Sequence, residues 1–563
     1  MEEEVGNLIR RWTLSNALEH GGDASVDAVI GKLIAEKPEL KSDIRELKEK
    51  IEREVERVNG LSIEQQKSEL EEIGPPERLE KEEEEGLPEL PEVDKYPEVV
   101  TRFAPNPNGP LHLGHLRAAV LSHEYARNND GKFILRFEDT NPEDAREDIY
   151  GMIKDDLKWL GLHWDEEYVQ SSRMKIYYRY SEELLEGGMA YVCTCPPPEF
   201  KALRDDQEPC PCRGLDPEEN LSRWRKMLEG DFSEGDAVLR IKTDLNDPNP
   251  ALRDWPALRI VSSPHPQTAE NYRVWPLYNF SVGIDDHKMG ITHVLRGKEH
   301  EVNEQRQRQL FEHLGWDYPT AIQYGRLSVE DAVLSKTKIM QGIKTGDFNG
   351  YEDVRLGTIA ALRRRGVVPE TLKQIIVDVG ITRSDSTISW DTLYTQNRRI
   401  IDERANRYFF VPEPKELTVS DVPDKNEVKI RRHPDQSERG ERVLPLDRRN
   451  GALRVWVNSE DMEKTEIGDI IRLKDLLNFE LTSKEPLEAD FVSFGLMDVP
   501  KIQWVSRDPV DVEVVEPEGN IETGYAEPEV TQLSEGEIIQ FERYGFVRID
   551  EVEPKIRAVY AHP

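Results

Sequence analysis

Cysteine is nearly missing from this chain: there are four in 563 residues, all between Cys193 and Cys212. A disulfide framework spread over the fold is excluded, and the four thiols have to be explained together. Positive charge is the second shortage, with 75 Lys and Arg against 111 Asp and Glu and a formal net charge of −36. So acidic a surface repels polyanions at long range, and a nucleic-acid partner would need a local basic face. No segment is long and apolar enough to span a bilayer, and the opening "MEEEVGNLIRRW" is not a basic region followed by an apolar run. A cytosolic protein with no membrane partner is expected. No internal repeat occurs, and the length exceeds what one hydrophobic core organises, so several domains are expected.

Residues 42–59, "SDIRELKEKIEREVERVN", set Ile44, Leu47, Ile51, Val55 and Val58 at alternating three- and four-residue steps behind a Ser/Asp cap. The pattern predicts a helix with one apolar stripe, part of an N-terminal helical appendage over residues 1–65 that could receive another protein. Residues 66–97, with "EKEEEEG" and several prolines, read as an acidic linker. Residues 1–98 together carry −14, so much of the acidity lies ahead of the main body.

After the linker, "VVTRF" is a short apolar run, "LRAAVLSHEYARNN" is helical in pattern and "KFILRF" is β-prone. Strand, turn, helix and strand make a βαβ unit, which requires a parallel sheet. A Rossmann-type α/β domain is predicted over 98–345, with a helical region over 346–410. From 411 to 563 the texture becomes short alternating runs such as "LRVWVN" and "IIQFERYGFVRID", which predict an all-β region in sandwich or barrel style.

The stretch "FAPNPNGPLHLGHLRAAVL" joins the first strand to the first helix of that unit. Pro105, Pro107 and Pro110 delay helix formation, Gly109 permits a tight turn, and the helix is predicted to start near Leu113. His112 and His115 then share the face where free N–H groups and the positive dipole end attract phosphate. Gly114 lets a nucleotide approach the backbone. Imidazoles placed there can donate hydrogen bonds to a phosphate that grows more negative in a transition state.

The motifs P-N-P-N-G-P-L, His112-Leu113-Gly114-His115 and R-F-E-D-T-N-P resemble the nucleotide-binding half of class I aminoacyl-tRNA synthetases, in the glutamyl and glutaminyl subgroup. That family closes over ATP with a K-M-S-K-S loop, which Val333-Leu334-Ser335-Lys336-Thr337 matches without its first lysine. The resemblance implies catalytic roles for His112, His115 and Lys336, and ATP contacts at Pro105, Gly109, Gly114, Leu334 and Ser335. Its amino-acid pocket carries over to Arg102 for the substrate carboxylates, Glu138 for the α-ammonium, Tyr278 as a wall, and Arg296 where glutaminyl enzymes have a small uncharged residue. A guanidinium fits a carboxylate bidentately and leaves a donor mismatch against an amide, which favours glutamate. The implied reaction joins L-glutamate to tRNA(Glu) through an adenylate formed from ATP with Mg²⁺, and charging of tRNA(Gln) is left open. Rival readings are a glutaminyl enzyme, which Arg296 opposes, and a non-catalytic tRNA-binding scaffold, which would have no use for His112, His115 and Lys336 together.

Cys193, Cys195, Cys210 and Cys212 are spaced C-x-C, fourteen residues, C-x-C. Two close thiolate pairs in a cytosolic chain suit structural Zn²⁺, and four sulfur ligands leave no open catalytic position. The resemblance places them in an acceptor-end insertion over about 175–275. Late basic residues, among them Arg363, Arg364, Arg365, Arg398, Arg399, Arg404, Arg407, Lys429, Arg431, Arg432, Arg448 and Arg449, suit phosphate contacts along one side of a tRNA. The resemblance implies stem-contacting helices, two anticodon-reading β-barrels of the archaeal and eukaryotic glutamyl type, and a monomer.

Overall fold

The computed structural model describes residues 2–19, 22–37, 44–74, 86–330 and 335–563, and it divides into one unit over Met1–Glu85 and another over Gly86–Pro563. In the first unit four helices, Glu2–Glu19, Val26–Glu36, Ile44–Asn59 and Ile63–Ile73, close around Trp12, Leu14, Val29, Leu33, Ile51, Val55 and Val58. The linker expected over 66–97 departs from this. A capping box between Ser62 and Gln65 starts the fourth helix, and Leu70 and Ile73 pack against the helical core, so residues 66–73 belong to the appendage. Residues 86–97 lie along the second unit, where Leu90 is buried and the Pro91 carbonyl meets His293 Nε2 at 2.9 Å.

In the second unit the parallel strands Val100–Phe103, Lys132–Phe137 and Glu166–Val169 pair in chain order, in register from Val100 with Lys132 and from Ile134 with Glu166. The first two are almost wholly buried, as expected of a parallel sheet covered on both faces. Another parallel pair, His293–Gly297 with Thr320–Tyr324, joins the open side of the first strand, where Thr292 N donates to Val100 O at 2.9 Å. The chain thus runs outward from Val100–Phe103 in one direction and later returns to set a second, two-stranded parallel sheet beside its other side. The helix Leu113–Asn128 lies on this sheet and buries Leu116, Val120, Leu121 and Tyr125.

Between the two halves sits a four-stranded antiparallel sheet of Ala190–Cys193, Val238–Ile241, Pro256–Ile260 and Val274–Pro276, cored by Trp224, Trp255 and Trp275. Helices Ile359–Arg364, Pro369–Val379 and Trp390–Ile401 follow the nucleotide-fold region. The alternation read in the β region holds: Ala452–Asn458, the "LRVWVN" segment, buries every second residue.

Two seven-stranded, barrel-like sheets form from that region, and they are nested. Strands between Pro414 and Ile502, apart from the pair Glu427–Arg431 and Glu441–Pro445, build one sheet, and the other takes Arg407–Tyr408 and Phe410–Pro412 together with strands from Val510 to His562. The β region therefore begins at Arg407, ahead of the expected 411, because Arg407–Tyr408 pairs in parallel with Gln540–Phe541.

Candidate active site

The direction of strand growth reverses between Val100–Phe103 and His293–Gly297, and doubly wound sheets bind ligands beyond the carboxyl ends of their strands at such a reversal. A cleft of about 750 Å³ opens there, and Arg102, Pro105, Gly109, His112, Gly114, His115, Glu138, Tyr278 and Arg296 all line it.

At one end of the cleft the helix begins at Leu113, with His112 as its N-cap. His112 Nδ1 accepts from Gly114 N at 3.1 Å, and His115 Nδ1 accepts from His112 N at 3.3 Å. This is a capping box made from imidazoles, with ring centroids 3.8 Å apart. Because both Nδ1 atoms accept, we assign the proton of each neutral ring to Nε2, which stays available as a donor. Burial pushes the His112 pKa down to about 4, and burial together with His112 pushes His115 down to about 3. The His115 ring is open to the cleft, and the cleft walls enclose it at longer range.

Two glycines take their meaning from this packing. A Cβ on Gly114 would stand 2.9 Å from His112 Cε1, so this glycine first makes room for the imidazole. A Cβ on Gly109 would stand 3.3 Å from Lys336 Cγ, so the lysine stem lies directly on the proline-rich turn. Lys336 is therefore at the rim of the cleft and not among the residues that line it. It is the first residue of the helix Lys336–Thr345, which Ser335 precedes as N-cap, and burial holds its pKa below the ordinary lysine value. Leu334 lies outside the described residues.

At the other end, charge is held by distant partners. Arg102, 5% exposed, meets Asp286 through Nε at 3.1 Å and Nη2 at 3.4 Å. Fully buried Arg136 meets the same Asp286 at 2.7 Å and Glu138 at 2.9 Å, completing a chain of alternating charge under the cleft floor. Burial raises the Glu138 pKa against the pull of Arg136 and Arg102, while Arg102 and Arg136 hold the Asp286 carboxyl below its usual range. Tyr278 opens the helix Tyr278–Lys288, its ring 5.7 Å from His300, and Arg296 sits near the end of its strand, 5% exposed. Sequence reading missed Arg136 and Asp286. The available signal was charge inside apolar elements, since a buried arginine in "KFILRF" requires a counter-charge.

In the antiparallel insertion, Cys193, Cys195 and Cys210 place their sulfurs within 4.8 Å of one another. Cys193 and Cys210 are 3.9 Å apart and Cys195 and Cys212 3.7 Å, close to the roughly 3.8 Å edge of a sulfur tetrahedron with ~2.3 Å arms. Cys212 is the fourth sulfur but lies outside the tight group, drawn toward Thr194 and Arg223 Nη1, the latter at 3.4 Å. The donor set fits a tetrahedral thiophilic metal once Cys212 closes by a small shift.

Many of the late basic residues have partners within the chain. Arg365 is buried, hydrogen-bonded to Tyr394 and stacked 4.4 Å over Trp390. Arg364 pairs with Asp550, Arg404 with Glu370, Arg407 with Asp402, Arg432 with Glu529, Arg448 with Asp424 and Arg449 with Asp447. Folding has brought acids from other segments onto Arg364, Arg404, Arg432 and Arg448, while Arg407 and Arg449 pair with acids close by in the chain. Arg398, Arg399, Lys429 and Arg431 stand exposed, and the last two line a groove of about 470 Å³ with Arg407 and Lys474.

Fold and cleft define a nucleotide-binding α/β protein of the doubly wound kind with β domains appended. Residues 98–403 match the model of "tRNA synthetases class I (E and Q), catalytic domain", and residues 405–493 and 501–550 match the two anti-codon binding domain models of the same group. The chain is 49% identical to the Glutamate--tRNA ligase of Pyrococcus furiosus, with 99% of this chain and 100% of that one covered. It is 47% identical to that of Methanopyrus kandleri, with 100% of each covered. A solved glutamate tRNA ligase from Elizabethkingia meningosepticum is 25% identical over 55% of this chain and 71% of that one, with a TM-score of 0.41. The chain belongs to the class I tRNA synthetases of the glutamate and glutamine group. No helix among the described residues is long and apolar enough to cross a membrane.

Proposed function

We propose that the chain joins L-glutamate to tRNA(Glu) in two steps within the 750 Å³ cleft. A carboxylate oxygen of glutamate attacks the α-phosphorus of ATP, pyrophosphate departs with Mg²⁺, and the adenylate so formed is attacked by a hydroxyl of the terminal tRNA ribose, releasing AMP. His112 and His115 give their Nε2–H groups to the phosphates. Lys336 reaches over Gly109 to the departing pyrophosphate. Pro105, Gly109, Gly114 and Ser335 shape the ATP side, Arg102 and Glu138 take the α-carboxylate and α-ammonium, and Tyr278 walls the pocket. Arg296 takes the side-chain carboxylate. One observation carries this reading: a neutral imidazole pair at a helix mouth and a buried arginine with an unpartnered Nε line the same cleft.

Pyrophosphate exchange with labelled glutamate, run with and without tRNA, tests it. Exchange that requires glutamate and tRNA is expected, and tRNA binding without any exchange would leave only a scaffold. Charging of purified tRNA(Glu) and tRNA(Gln) separately then fixes the acceptor. We also propose that the four cysteines hold one structural Zn²⁺. About one zinc per chain is expected by elemental analysis, and a melting temperature that a chelator lowers; metal-free protein of full stability would remove the assignment.

A further inference from the structure

Arg296 and Arg102 reach the same cleft but are held by different chemistry. Arg102 and Arg136 share the charge of Asp286, whereas the short contacts of Arg296 are to neutral oxygens and its ion pair is longer. Arg296 Nη1 donates to Gln307 Oε1 at 2.9 Å, Nη2 donates to the Tyr318 hydroxyl at 2.9 Å, and that hydroxyl donates onward to Gln307 Oε1 at 2.8 Å. Both contacts to Gln307 come from donors, which fixes its amide with the oxygen toward Arg296. Gln307 is fully buried. The nearest carboxylate on this side is Glu304, 3.4 Å from Nη2, and it is drawn away by Arg308 and Gln323, each at 2.8 Å.

The guanidinium is therefore locked in orientation while its one ion pair, to a Glu304 that Arg308 and Gln323 share, is long, and its Nε is buried without a partner. A charge kept out of water demands an anion, and a neutral amide cannot supply one. We propose that Gln307 and Tyr318 are the positioning residues that reserve the Arg296 charge for the substrate, and that they thereby set the choice of a side-chain carboxylate over an amide. The inference deepens the glutamate reading and rests on it.

Gln307→Glu separates charge from geometry, because a carboxylate keeps both hydrogen bonds and cancels the charge. Steady-state charging of tRNA by the full-length protein should show kcat/KM for L-glutamate falling on the order of 100-fold, mostly through KM, with the KM for ATP within about twofold. The preference for L-glutamate over L-glutamine should fall by about tenfold or more. Gln307→Met, which loosens Arg296 without adding charge, should lose less of that preference. A folded Gln307→Glu protein with the preference of the parent overturns the proposal. If that variant fails to fold by circular dichroism and thermal melting, Tyr318→Phe decides. A rise of about tenfold in the KM for glutamate alone supports the proposal, and no rise, or an equal rise for ATP, overturns it. A parent protein that activates no glutamate at all defeats the underlying reading instead, so the two failures are distinct.

Discussion

At the helix-mouth end of the cleft, His112 and His115 hold each other through hydrogen bonds that span three residues of chain, whereas at the opposite end Arg102 meets Asp286 across 184 positions and Arg136 meets it across 150. The first arrangement is a helix cap and exists wherever the helix starts. The second exists only once the strands Val100–Phe103 and Lys132–Phe137 and the helix Tyr278–Lys288 have docked, and each buried charge in it depends on its neighbour. The helix-mouth end is thus locally built, while the opposite end is a network in which each buried charge needs its neighbours.

The sharpest way to break this contrast is Arg296→Ala. Loss of a buried guanidinium should lower kcat/KM for glutamate by ~10³ or more while the KM for ATP moves by less than about twofold, measured by tRNA-dependent pyrophosphate exchange. Comparable effects on both substrates would mean that Arg296 shapes the whole cleft. Lys336→Ala comes next: one donor to a departing anion is worth ~10²–10³ in rate. Because Lys336 rests on a turn at the rim, its removal should leave the melting temperature unchanged, and a large drop in melting would recast it as structural.

Asp286→Asn should act on stability as well as binding, since it leaves Arg102 and Arg136 short of a shared negative charge. A loss of about 3 kcal/mol by denaturant titration is expected, with a raised KM for glutamate. An unchanged midpoint would show that Glu138 alone suffices for Arg136.

The smallest effect belongs to the imidazole cap. His112 and His115 have folded-state pKa values pushed below the ordinary 6.5, to about 4 and about 3. The unfolded chain therefore binds protons first on acidification, so the stability these rings contribute is complete above about pH 6.5 and is lost as pH falls through about 4. His112→Asn keeps a capping acceptor and removes one titrating ring. Its stability should decline less steeply than that of the parent between pH 6.5 and 4, as read by urea melts, and identical slopes would contradict the burial of His112.

Much of the helix-mouth end of the cleft was legible in the chain itself. Prolines and a glycine set the start of the helix at Leu113, the three-residue spacing of His112 and His115 put them on one face, and two-residue alternation gave the β region its strands. Hydrogen bonds across three or four residues and the periodicity of a pleated strand are local properties, so residue order alone dictates them. Tertiary structure decided the rest. It set Lys336 against Gly109, gave Asp286 to two arginines and Gln307 with Tyr318 to a third, folded residues 66–73 into the appendage, nested one sheet within the other, and covered Arg364, Arg365 and Arg432 with partners from elsewhere in the chain. Those outcomes depend on which buried charges and apolar faces meet after strands order and loops close. Such meetings join residues tens to hundreds of positions apart, where neither propensity nor spacing carries information.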